Sequence, residues 1–377
     1  MTNTDSKKVM FIFDRVFHYH EPTFVQLDDL LRQSGHRLIL ASGQTTCSGK
    51  EIGRVGITRK VVDEHYFFLR HEFKVLGYTL RYWRKIFPII REHRPDIIVI
   101  PSHVGNIYDW LLMCAKPLFA YKLVAWQCGY EYNKSAAKDN LLRLFLNGFD
   151  FHLAYHTNAK NYGVEHGVPE EKITVIHNTI DESRIKRVEQ SLAREQLEKI
   201  HSDIQGNKII LFVGAILREK KLDLLIDAFN ELNSSHVVLL IVGDGEDLGR
   251  IMDRCKGNEN ILFPGQVVDD VGIYFDASDI FVLPGTGGLG INEAMAHGLP
   301  IISGYADGSA DDLVKDGVNG FRLEDYSVEE LSRHLKFLLH NEKERKRMGE
   351  NSLEMILGEL SFKEFIARVY RGLLKFV

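Results

Sequence analysis

The chain has 377 residues, 45% hydrophobic and 26% charged, the composition of a soluble globular protein long enough for two α/β domains. Its formal net charge of -5 argues against a general nucleic-acid binder. The charge is uneven: residues 1–180 hold 23 Lys+Arg against 18 Asp+Glu, about +5, leaving about -10 for the rest, so the two halves are expected to meet different partners.

The N-terminal stretch "MTNTDSKKVMFIFDRVF" has too short an apolar run for a signal peptide. "KVMFIFD" reads as a strand, "VFHYHEPTF" as a loop without glycine, "VQLDDLLRQSG" as a helix and "HRLILAS" as the next strand. Residues 67–94 mix Arg and Lys with Phe, Tyr and Trp. They are expected either to lie peripherally in a membrane interface, with Arg81, Arg84 and Lys85 as its cations, or to form a domain-surface helix with its aromatics in the core. "PDIIVIPS" is a strand, and His103 lies just past its end. "WLLMCAKPLFAYKLVAW" is broken by Lys116, Pro117 and Lys122, and reads as a helix then a strand rather than a membrane span. "FHLAYH" and "ITVIHN" complete a first β-α-β series, which implies a parallel sheet with helices on both faces.

The charged run 183–207 reads as a connector between a first domain, 1–182, and a second, 208–361. In the second, the strands "KIILFVG", "HVVLLIVGDG", "ILFPGQV", "DIFVLPG" and "LPIISG" are interleaved with helical segments such as "KKLDLLIDAFNEL" and "EDLGRIMDRC". Cys47, Cys114, Cys128 and Cys255 are scattered, so neither a zinc site nor a disulfide framework is expected, and a cytoplasmic setting suits their thiols. The fold class is therefore α/β, with two Rossmann-like doubly wound domains expected to place ligands in a cleft at the C-terminal ends of their strands.

Residues 283–302, "LPGTGGLGINEAMAHGLPII", contain G-x-G-x-x-G at Gly285, Gly287 and Gly290, after a strand and before a helix. A dinucleotide site normally uses the first β-α turn of its sheet. This stretch falls late in the second series, and its nearest acid, Asp307, lies beyond the next strand, so the dinucleotide reading is rejected. The loop still suits an anion, because glycines let backbone N–H groups approach it and a helix N-terminus favours negative charge. Glu293, one turn on, is suited to accept hydrogen bonds from ribose hydroxyls, although a first-turn Glu is also ordinary helix chemistry. Arg218, Lys220 and Lys221 follow the strand that ends at Gly214, where cations suit a diphosphate.

The succession "VPEEKITVIHNTID", "FVGAILREKKLDLLIDAF", "IVGDGEDL", "FPGQV", "ASDIFVLPG", "GLGINEAMAHGLPII" and "DLVKDGVNGFRL" resembles the retaining nucleotide-sugar glycosyltransferases of family 4, which have the GT-B fold. The resemblance spans nearly the whole chain. It implies a UDP- or GDP-sugar donor, a saccharide or lipid-linked acceptor, no metal or other cofactor, and no nucleic-acid partner. It implies that the helix at about 362–377 packs back on the first domain.

By position, Lys220 would neutralise the diphosphate, with Gly214 and Arg218 beside it, and the N–H groups around Gly287, Gly288, Leu289 and Gly290 would face the diphosphate or the transferred sugar. Glu293 would hold the ribose, and Gln266 and Val267 would meet the base. His18, His20 and His103 are the polar candidates on the acceptor side, His103 foremost. Three positions depart from the family pattern: Gly285 stands for its first Glu, Ala215 for an Arg and Gln127 for a His. Two alternatives stay in view: a sugar-nucleotide epimerase of similar two-domain fold, and a catalytically silent binding protein, which those departures would favour.

Overall fold

The structure is a computed structural model describing residues 6–45, 56–75, 78–129, 136–267 and 270–376; Cys47 lies outside them. It divides into two compact units, residues 1–177 with 365–377, and residues 178–364.

In the first unit the strands are β1 (Lys8–Phe13), β2 (Arg37–Thr45), β3 (His65–Val75), β4 (Tyr78–Arg84), β5 (Ile97–Pro101), β6 (Lys122–Gln127), β7 (Phe151–Ala154) and β8 (Ile173–Val175). Their order is β4-β3-β2-β1-β5-β6-β7-β8, parallel except for the antiparallel β3/β4 pair. Val9–Ile12 and Ile97–Ile100 have no exposed surface, as expected of strands covered by helices on both faces. The C-terminal helix Phe362–Leu374 contributes its later turns to this unit. Phe365 packs edge-on against Trp126, and the Tyr370 hydroxyl donates to Ser34 Oγ at 2.5 Å.

Residues 67–94 are not a helix. They are most of β3, then β4, then the short helix Ile86–His93. Two of their aromatics serve the core: Phe68 and Trp83 are fully buried, Trp83 stacks on Tyr108, and its indole N–H donates to Asp14 at 2.6 Å.

In the second unit the strands are β9 (Lys208–Val213), β10 (Val237–Val242), β11 (Ile261–Gly265), β12 (Ile280–Leu283), β13 (Ile301–Ser303) and β14 (Gly320–Arg322). Their order is β11-β10-β9-β12-β13-β14, all parallel. Residues 183–207 are built into this unit. The helix Gln190–Glu198 buries Ala193 and Leu197, and its Arg194 reaches the carbonyls of Ala277 and Asn207 and the carboxylate of Asp279.

Each sheet has one place where the order reverses, between β1 and β5 and between β9 and β12. The chain leaves such neighbouring strands toward opposite sides, which opens a crevice at their C-terminal ends. Among the described residues no helix is long and apolar enough to cross a membrane.

Candidate functional site

The crevice of the second sheet is framed by the loops after β9 and β12. The ends of β9, β10 and β11 are laced together: Gly214 N–H donates to Val242, Gly243 N–H to Gly265 and Ile216 N–H to Asp244. The approach is so close that a Cβ on Gly243 would lie 1.9 Å from the Gly214 carbonyl oxygen. The glycines of "IVGDGEDL" thus hold the first loop down on its neighbour.

After Gly214 a single 3-10 turn, Arg218–Lys220, carries the cations, and the structure sends them to different places. Arg218 is exposed, with Nε 3.6 Å from Asp247, an aspartate that also accepts two bonds from Arg250. Lys221 adopts a left-handed backbone and sets its ammonium 3.8 Å over the Tyr326 ring. Lys220 alone of the three is directed onto the glycine loop: Nζ donates to the Thr286 carbonyl at 2.5 Å and would lie 2.9 Å from a Cβ on Gly287. In return Thr286 N–H donates to the Glu219 carbonyl. The two loops therefore hold each other.

This lacing accounts for Gly285. A Cβ there would lie 2.0 Å from the Glu219 oxygen and 2.5 Å from Lys220 Cα, so no side chain fits unless the turn moves. The acid expected at this position is excluded by backbone contact.

Gly288 caps the helix Leu289–Ala296. The N–H groups of its first turn, at Leu289 and Gly290, have no intrahelical acceptor and present the positive end of the helix dipole. Glu293 lies one turn on. Its carboxylate makes no hydrogen bond or ion pair with any described residue, although burial pushes its pKa above the ordinary carboxylate value, against a smaller lowering by His297. The helix around it is fixed on both sides. Asn292 Nδ2 donates to Thr179 Oγ1, and His297 pairs with Asp276 at 2.7 Å while stacking on Phe275. Gln266, exposed, and Val267, half-buried, follow β11 on the same edge of the sheet.

The crevice of the first sheet lies between the loops after β1 and β5, which bring His18, His20 and His103 to one edge. His20 Nδ1 accepts the Phe17 N–H, and its ring lies among Phe13, Phe17 and Phe24. The His103 side chain is exposed, and its loop is pinned by fully buried Asp109, which accepts from His103 N–H and from Asn106 Nδ2, both at 2.8 Å. Gln127 belongs to the interior. It is buried, donates to the Ala159 carbonyl and faces His152 Nδ1, both at 2.7 Å.

Sequence reasoning missed the Asp276–His297 pair behind the Glu293 helix, which joins residues 21 apart and leaves no local pattern. It also set aside Asp307, on the loop after β13, as too far along the chain. A Cβ on Gly288 would lie 3.0 and 3.1 Å from its two carboxylate oxygens. The signal available for it was topological, since β13 is the neighbour of β12 and its loop must open at the same edge.

Residues 21–184 match the family model "Glycosyltransferase Family 4", and residues 193–355 match "Glycosyl transferases group 1". Among curated proteins, the chain is 28% identical to an uncharacterized glycosyltransferase of Methanocaldococcus jannaschii over 63% of its own length and 60% of the relative's. It is 27% identical to the capsular polysaccharide biosynthesis glycosyltransferase CapM of Staphylococcus aureus over 47% of its own length and 50% of the relative's. The matched stretches thus span about half to three fifths of these relatives. Among solved structures, Anabaena HepE in complex with UDP superposes with a TM-score of 0.76 at 16% identity, covering 98% of this chain and all of that one. HepE has also been crystallised with UDP-glucose. With two glycosyltransferase models matched in succession along the two doubly wound units, the chain belongs to the GT-B glycosyltransferases of the family-4 type.

Proposed function

We propose that the protein is a retaining glycosyltransferase that moves a sugar from a UDP- or GDP-sugar to a saccharide or lipid-linked saccharide. In this reading it acts in the cytoplasm, in the synthesis of surface polysaccharide or glycoconjugate. The observation that carries the reading is the setting of Lys220. Its ammonium is turned onto a glycine loop and a helix N-terminus at the switch point, with the Glu293 carboxylate, which bonds no described residue, a turn away. The diphosphate complex of HepE and the capsular role in CapM's name agree with it.

In this scheme the bond from the sugar's anomeric carbon to the phosphate oxygen breaks as the acceptor oxygen bonds to the same face. The departing phosphate takes the acceptor's proton. Lys220 and the N–H groups of Leu289 and Gly290 stabilise the charge that develops on the diphosphate, and the scheme calls for no metal. Glu293 accepts hydrogen bonds from the ribose, Gln266 and Val267 border the base, and His103 serves the acceptor side.

A thermal-shift screen with UDP, GDP, ADP and CMP tests the donor site, since a ligand at a hundred times its Kd adds about 2.7 kcal/mol of stability. Nucleotide release from sugar nucleotides should then require an acceptor. No stabilisation by any nucleotide would refute the reading.

Glu293→Gln separates binding from folding. Because the native pKa is raised, the native state holds its proton over a pH range in which the unfolded state has lost it. Stability therefore falls as pH rises from the ordinary glutamate value through the native one. The glutamine variant should lack that loss and melt at or above the parent's temperature at neutral pH. Calorimetry should show its nucleotide affinity reduced; a lowered apo Tm with parental affinity would count against both statements.

Membrane contact through residues 67–94 rests on the basic residues, since Phe68 and Trp83 are core. Replacing Arg81, Arg84 and Lys85 with Ser should weaken co-sedimentation with anionic liposomes at low salt. Unchanged sedimentation would remove the segment from the membrane.

A further inference from the structure

Gly285 puts no carboxylate on the donor loop at the position where the family pattern has its first Glu. The structure supplies one from another direction. Asp307 lies on the loop after β13, next to Ala306, whose φ of 55° is left-handed. Its Oδ1 is held by Ser309, accepting from the hydroxyl at 2.5 Å and from the backbone N–H at 3.2 Å. Its Oδ2 accepts no hydrogen bond from any described residue. Both oxygens stand about a Cβ contact from Gly288, which is a glycine where any side chain would meet Asp307 and Ser309.

Two consecutive glycines are thus approached by opposite charges: Gly287 by the Lys220 ammonium and Gly288 by the Asp307 carboxylate. This gives the loop a polarity. A phosphate is drawn to the lysine and repelled by an ionised carboxylate. A carboxylate is an acceptor only, and its natural partners are hydroxyl groups. We propose that Asp307 accepts hydrogen bonds from the hydroxyls of the transferred sugar and sets donor-sugar preference, with Ser309 fixing its orientation. The proposal rests on the donor-site reading above and adds the residue that reads the sugar.

The test compares affinities by calorimetry on the full chain, with UDP against UDP-glucose and GDP against GDP-mannose. For the pair that the parent binds, Asp307→Asn and Asp307→Ala should leave the affinity for the bare nucleotide unchanged or tighter, because a negative charge near the phosphates is gone. Affinity for the sugar nucleotide should fall roughly tenfold or more, the scale of a lost hydrogen bond to a charged group. This opposite movement is one that a merely structural aspartate would not produce. An unchanged ratio of the two affinities in both variants overturns the proposal. So does an equal loss of both ligands accompanied by a lowered Tm, which would make Asp307 a turn residue. If the parent binds none of the four ligands, the donor-site reading itself fails and takes this inference with it. If the parent binds the bare nucleotide and its sugar derivative equally, the donor site stands but Asp307 reads no sugar.

Discussion

Lys220→Ala is expected to lower turnover about a hundredfold or more, since removing one group that stabilises developing charge typically costs about 3–4 kcal/mol of transition-state energy. The size of the effect follows from position. Arg218 is engaged with Asp247 and Lys221 with Tyr326, so neither neighbouring cation is placed to substitute. Lys220 also bonds the Thr286 carbonyl and so helps hold the glycine loop. A structural contribution would lower the apo Tm, whereas a role on the diphosphate would lower nucleotide affinity and kcat with Tm near the parent's. Lys220→Arg keeps the charge but replaces a compact ammonium with a planar fork, and should recover only part of the rate. Steady-state nucleotide release, measured beside the melting curves, decides the matter. Parental turnover in Lys220→Ala would remove this residue from the site.

The parallel strands of the second unit were legible because a strand covered on both faces must be continuously apolar. "KIILFV" and "VVLLIV" have that form and are buried almost throughout. The site loops were legible because glycines and cations at strand ends are local facts of sequence. What was not legible depends on approach between distant segments. The sequence shows that Arg218, Lys220 and Lys221 share a loop, but not that Asp247 and Tyr326 engage two of them. It shows Asp307, but not that the adjacent strand delivers it to Gly288. Residues 67–94 misled for another reason: their cations and aromatics fit an amphipathic helix by composition. Yet Phe, Tyr and Trp also favour strands, and the antiparallel pairing of β3 with β4 settles the conformation.

Gly285→Glu carries the second large expectation, and it runs against what family resemblance alone would suggest. A glutamate is common at this position in the family, so its introduction looks like a repair of the donor site. The geometry predicts damage. The new Cβ would start 2.0 Å from the Glu219 oxygen and 2.4 Å from the Lys220 carbonyl carbon, and both obstacles are backbone, which cannot swing aside as a flexible side chain can. To admit it, the 3-10 turn Arg218–Lys220 must move off the glycine loop. That breaks the Thr286 N–H bond to Glu219 and displaces the Lys220 ammonium from Thr286. Gly285→Ala, which adds only the Cβ, should show the same defect without a new charge. Overpacking of this kind costs about 1–3 kcal/mol, and more when backbone must shift. Both variants should therefore melt below the parent, bind the nucleotide diphosphate at least tenfold more weakly, and lose most turnover. If Gly285→Glu instead folds like the parent and turns over faster, the loop contact is not the reason for glycine, and the acid is missing for another cause.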